Sequence, residues 1–279
     1  MSSLVLKDDL YGHTLVAAMA MFIVAAGLFA AATISRRRAV RLAGEAIFLA
    51  GSAAASFLWI YRWLAVGHLP VQSMFEILIT MAMLIWPLSA FCRFALGGRL
   101  PVVDALIGAV LAFAPAFVNA PAFSSTPRNL PPSLQTWLFG PHVLTYMVSY
   151  VVAFMIAAHG AAILLTGGRG GAERRGELDR VGYRMSCFGF PLLTLGLVLG
   201  SIWAKAALGD YWDWDPKEMW SLASWFVFLG YFHFRRMFPG RLHRINGLWL
   251  IAAGGVVLLT LLQVILPKLG GAGGWHNYG

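Results

Sequence analysis

The chain has 279 residues, of which 59% are hydrophobic and 12% charged, and it carries a net charge of +9. A soluble domain of this size does not need so much apolar sequence, so the composition points to a membrane protein that crosses the bilayer several times. The positive charge does not mark a nucleic-acid binder: it sits in short loops flanking apolar runs, and no nucleic-acid-binding motif accompanies it. In chain order, apolar runs fall at about 14–34, 45–66, 73–96, 102–119, 142–166, 186–208, 216–236 and 246–267. They predict an all-α, polytopic membrane protein with about eight transmembrane helices, forming a single membrane domain over residues 1–279.

Orientation follows from the loops. Arginines cluster after the first, third, fifth and seventh runs, placing 15 of the 21 Lys and Arg residues on one side. The positive-inside rule makes that side cytoplasmic and both termini exterior. The first run lacks a preceding basic region and is followed by Arg36, Arg37, Arg38 and Arg41, as in a stop-transfer segment rather than a cleaved signal. Cys92 and Cys187 have no CxxC or metal-type spacing and read as small buried or interfacial residues.

Across the first exterior hairpin, Arg62 and Glu76 reach similar depth on either side of Gly67-His-Leu-Pro70. An unpaired charge there is expensive, so an ion pair is expected. Facing an anionic group of a ligand is the alternative use of Arg62. His68 lies in the hairpin itself, and His142 opens the fifth helix on the same side.

The most informative stretch runs from Trp203 to Trp225, where five of the eleven tryptophans fall within 23 residues. Trp and Tyr crowd membrane interfaces for general reasons, and Asp215-Pro216 with Glu218 reads as a capping box opening the seventh helix. Trp212, Trp214, Trp220 and Trp225 could equally form a shelf on which a wide, flat ligand stacks, with Lys205 and Lys217 meeting its anionic edge. The histidines favour the second reading, because intramembrane ionisable residues are functional candidates and His is a common haem ligand. His142, His68 and, in the glycine-rich tail, His276 share the exterior side with the shelf. His233 follows Pro216 by 17 residues, about 26 Å along a helix, so one haem cannot use both His233 and an exterior histidine. His159, at similar depth, is a candidate partner for His233 at an inner site. His243, in a basic loop, is expected to be solvated.

The stretch Gly209-Asp-Tyr-Trp-Asp-Trp-Asp-Pro-Lys-Glu-Met-Trp-Ser-Leu222 closely resembles the tryptophan-rich WWD signature of haem-handling proteins. Arg62-Trp63, Gly67-His-Leu-Pro70 with Glu76, Pro141-His-Val143 with Tyr150, Tyr231-Phe-His233 and Trp275-His-Asn-Tyr-Gly279 extend the likeness, in order, from about residue 60 to the end. Among WWD branches the chain most resembles the CcsA-type subunit of the system II cytochrome c synthase.

That resemblance implies a multi-pass protein of the bacterial inner membrane that carries haem b to an exterior site. It implies that His142 and His276 ligate haem iron beside the WWD loop, and that His233 serves an inner haem site completed by a CcsB-type membrane subunit. The activity implied is cytochrome c haem lyase: haem is positioned for thioether bonding to the Cys-x-x-Cys-His motif of apocytochrome c. No catalytic residue is implied beyond those that position haem, and the remaining partner is membrane lipid. Two other readings have different signatures. A haem exporter or chaperone would release haem without ligation, and a bis-His b-type electron carrier would keep it between histidines at matched depth.

Overall fold

A computed structural model describes residues 7, 9–118, 123–168, 170–238 and 242–263. Its eight α-helices are α1 (Leu10–Ser35), α2 (Arg38–Val66), α3 (Met74–Ala95), α4 (Pro101–Phe117), α5 (Phe139–Leu165), α6 (Gly171–Leu208), α7 (Pro216–Met237) and α8 (His243–Leu262). Six of them are long and apolar enough to cross a membrane. The other two are α4, an apolar helix of 17 residues, and α7, which carries Lys217, Glu218, Arg235 and Arg236 near its ends. The chain is a polytopic membrane protein, as its apolar runs predict. The main departure is α6, which begins at Gly171 rather than near residue 186 and runs for 38 residues. Its added turns are rich in Glu and Arg, which lose little side-chain freedom in a helix, and they bury Leu178, Asp179 and Gly182.

The helices form two compact units. One contains α1, α2, α3 to Phe91, α4 and the following loop to Pro131. Here Phe22 of α1 is fully buried among small residues: a Cβ at Gly51 or Gly108 would lie 2.8 or 3.1 Å from its ring. Small residues at such contacts let helices approach in lipid, where packing rather than water exclusion holds them together. Pro87 lies within α3, and one residue before it the hydroxyl of Ser52 enters the helix ladder. Ser52 Oγ donates to Ala82 O and accepts from Trp86 N, both at 3.2 Å.

At the other end of this unit two cations and a histidine hold the loop after α4. Arg62 and Glu76, each 2% exposed, form the expected ion pair with Nε to Oε1 at 2.8 Å. The remaining guanidinium nitrogens donate to the carbonyls of Ser125 and Thr126. The second Glu76 oxygen accepts from the backbone N–H groups of Gln72 and Ser73, capping α3. Lys7 donates to the carbonyls of Pro115 and Phe123, with its ammonium 4.7 Å from the centre of the Phe75 ring. The ring nitrogens of His68 lie 3.1 Å from Leu69 O and 3.2 Å from Arg128 O.

The second unit contains the end of α3 and the turn Cys92–Arg99, then the chain from Pro132 through α5, α6, α7 and α8. α5 is its centre, packing extensively on α6 and α8. A Cβ on Gly160 would lie 2.5 Å from the carbonyl of Gly247 in α8, so these helices touch backbone to backbone. Asp179 of α6, 1% exposed, joins three helices: it accepts from Arg235 of α7 and from His243 and Asn246 of α8. His243 therefore does not stand in a solvated loop. It lies 2.8 Å from this buried carboxylate, which requires compensation once removed from water.

Two outcomes follow. Glu76→Ala leaves the Arg62 guanidinium buried without its counter-ion, and loss of one partner from such a pair costs about 3–5 kcal/mol; unfolding of the detergent-solubilised protein is expected to shift accordingly. Burial lowers the Lys7 ammonium from 10.5 to about 8, against the opposing field of Asp9. The folded state releases this proton before the unfolded state does, so Lys7 contributes a rise in stability between pH 8 and 10.5. That rise is absent from a Lys7→Met variant melted over the same range.

Candidate functional site

The candidate site is built where α5 begins, where α6 ends and where the WWD loop enters α7. His142 lies in the first turn of α5 and faces α6. Its Nδ1 lies 2.9 Å from the carbonyl oxygen of Gly196. A carbonyl only accepts, so Nδ1 carries the proton and, in the neutral ring, Nε2 holds the lone pair. This is the tautomer that a metal-binding imidazole needs. The ring lies parallel to the indole of Trp203, with centroids 6.1 Å apart and planes 5° apart, and meets Tyr146 edge-on at 5.1 Å. Gly200 provides the space: a Cβ there would lie 2.5 Å from His142 Cε1. A Cβ on Gly196 would press the Tyr146 ring at 3.1 Å.

Trp203 is the residue that sequence reading left outside the shelf. It is 5% exposed, its indole N–H donates to Ser133 O at 3.1 Å, and Phe139 lies 6.2 Å away. Its position in the last two turns of α6, before the signature itself, made it read as an interfacial tryptophan. A histidine and a tryptophan both aimed at the α5–α6 seam would have been the signal.

The loop after α6 is held from both sides. Gly209 adopts φ 103°, which lets the chain leave the helix without strain. Lys205 Nζ donates to its carbonyl at 2.5 Å, and Ser201 Oγ donates to Tyr211 O at 3.0 Å. On the α7 side the expected capping box is present: Asp215 accepts from Glu218 N, and Glu218 accepts from Asp213 N and Asp215 N. The two acidic residues thus close the helix start. Between these anchors Trp214 has φ 55°, a left-handed backbone that is uncommon for a bulky residue.

The four shelf tryptophans do not form one surface. Trp212 and Trp214 meet edge to face at 5.9 Å, with Trp214 67% exposed. The indole nitrogen of Trp212 is buried without a hydrogen-bond partner among the described residues. Trp220 is also exposed, whereas Trp225 packs on Phe190 and donates to Thr194 Oγ1 at 3.1 Å. Lys217, in the first turn of α7, is partly buried.

Of the remaining candidates, His276 lies outside the described residues, and Arg62 and His68 belong to the first unit. His233 is exposed on α7, with Nδ1 2.9 Å from Leu229 O. His159 is 1% exposed on α5, with Nδ1 2.9 Å from Met155 O, and it lines a cavity to which His233 does not contribute. His159 and His233 thus have different surroundings, one buried on a cavity wall and the other exposed. Among the described residues no cluster of three or more His, Cys, Asp or Glu could hold a metal ion.

Comparison with known proteins places this geometry in context. Residues 15–267 match the model of the cytochrome C assembly protein family. The chain is 33% identical to the cytochrome c biogenesis protein CcsA of Synechococcus elongatus over 278 residues, covering 78% of this chain and 81% of that protein. It is 29% identical to CcsA of Microcystis aeruginosa, with the same coverage. It is 30% identical to CcsA of Chlamydomonas reinhardtii over 237 residues, covering 80% of this chain and 64% of that protein. With the family model matching residues 15–267 and a relative 33% identical over most of both chains, the chain is a member of the cytochrome c assembly protein family.

Proposed function

We propose that the chain receives haem b within the membrane, presents it on the exterior face, and positions it for covalent attachment to apocytochrome c. The reading rests on family membership and on one observation: the His142 imidazole, its Nδ1–H donating to Gly196 O, is braced by Trp203 just before the WWD loop. The donor set suits haem. Imidazole is an axial ligand of iron, exposed Trp214 and Trp220 supply π-faces, and the buried Trp212 N–H is a donor without a protein acceptor among the described residues.

In this reading His142 and His276 bind the iron from the two faces of the macrocycle, and Lys217 meets a propionate. The arginine distribution supports the exterior location. His233, exposed on α7 near the arginine-rich end, takes haem at the inner site together with a histidine of a CcsB-type subunit. Its exposure supports a partner chain rather than His159 as the second ligand. Arg62 and His68 support the exterior hairpin, since the Arg62 guanidinium is already committed to Glu76 and two carbonyls. The reaction is addition: each apocytochrome thiol adds across a haem vinyl group, sulfur bonding one carbon and the thiol hydrogen passing to the other, with no net redox change. The chain contributes orientation and proximity.

Two measurements test this. Visible spectra of the purified protein with His142→Ala or His276→Ala are expected to show reduced haem content and an altered Soret band, partly restored by imidazole. His233→Ala is expected to reduce loading of the exterior site, and unchanged haem in all three variants rejects the reading. Gly200→Ala is expected to displace the His142 ring and lower haem retention several-fold, because the added methyl overlaps Cε1. Gly255→Ala, where a Cβ meets nothing within 4 Å, serves as the control.

A further inference from the structure

At the arginine-rich end of the second unit, away from the WWD loop, a cavity of about 410 Å³ opens between α5, the first turns of α6 and the turn 97–99. Arg99, Arg174, Arg180 and Arg184 line it, against one carboxylate, Glu177. Glu177 pairs with Arg174 at 2.9 Å, so the walls keep a strong excess of positive charge. Arg184 reaches over the turn, with Nη1 3.4 Å from Leu96 O. The remaining polar group is His159. Its Nδ1–H is spent on Met155 O, leaving a lone pair on Nε2 that has no hydrogen bond among the described residues although the residue is 1% exposed.

An imidazole lone pair on a cavity wall shared with guanidinium groups fits a ligand that is anionic and also carries a hydroxyl. The polar walls do not fit an apolar macrocycle. The arginines that line the cavity mark this end of the helices as a membrane boundary. Basic pockets between membrane helices at such a boundary suit phosphate headgroups.

We propose that this cavity binds the headgroup of a hydroxyl-bearing anionic phospholipid of the phosphatidylglycerol class. Arg180 and Arg184 meet the phosphate oxygens with charge-assisted hydrogen bonds. His159 Nε2 accepts from a glycerol hydroxyl. The site is independent of the haem-handling reading, since none of its arginines belongs to that machinery.

Native mass spectrometry of the full-length protein in detergent tests the proposal, comparing phosphatidylglycerol with phosphatidylcholine of the same acyl chains. Phosphatidylglycerol is expected to be retained preferentially, and at least about tenfold more weakly by an Arg180→Ala/Arg184→Ala double variant, which removes both charge-assisted contacts. Phosphatidylmethanol, which has the phosphate but no headgroup hydroxyl, is expected to bind more weakly than phosphatidylglycerol in the wild type. Equal retention of phosphatidylglycerol and phosphatidylcholine, or retention unchanged in the double variant, overturns the proposal. Thermal protection by inorganic phosphate alone, equal to that given by the lipid, overturns the assignment to a lipid and gives the site to a soluble phosphate. The haem spectrum of the double variant, measured in parallel, is expected to match wild type.

Discussion

The seam between α5 and α6 controls the candidate site. In lipid, helices gain little by hiding apolar surface from one another, so close contact depends on shape and on hydrogen bonds. Gly196 and Gly200, one turn apart on α6, remove the side chains that would keep α5 away. The space admits the His142 ring, lets it reach a main-chain carbonyl, and stacks it on Trp203. Tautomer, tilt and depth of one imidazole are thus set by what two positions lack. The loop that follows is pinned by Ser201 and Lys205 on one flank and by the Asp215–Glu218 cap on the other.

A second constraint shapes the rest of the molecule: charge removed from water must be matched. Arg62 has Glu76 and two carbonyls, and Asp179 has Arg235, His243 and Asn246. Each set joins segments distant in sequence. These groups fix which helices meet and at what height, a role that apolar contacts in a uniform solvent fill poorly.

The helices were legible because an apolar run of bilayer length has few other uses, and six of the eight satisfy that test directly. The Arg62–Glu76 pair and the capping box were legible because each needs only local geometry. The start of α6 was not, since Glu- and Arg-rich sequence has no apolar period and reads as loop even where it is helical. Asp179 was hidden for a different reason: its partners lie 56 to 67 residues away. Trp203 was visible but indistinguishable from a boundary tryptophan until its parallel stack on His142 was seen.

At 1.5 Å per residue the 38 residues of α6 extend about 57 Å, nearly twice the hydrocarbon thickness of a bilayer. Its leading arm carries the guanidinium cluster and its trailing arm the seat for the imidazole. Pro191, close to the midpoint, cannot donate to the carbonyl four residues earlier, so the rod has its weakest rung between the two arms. Such a beam bends at a pivot rather than along its length, allowing one arm to tilt while the other keeps its register.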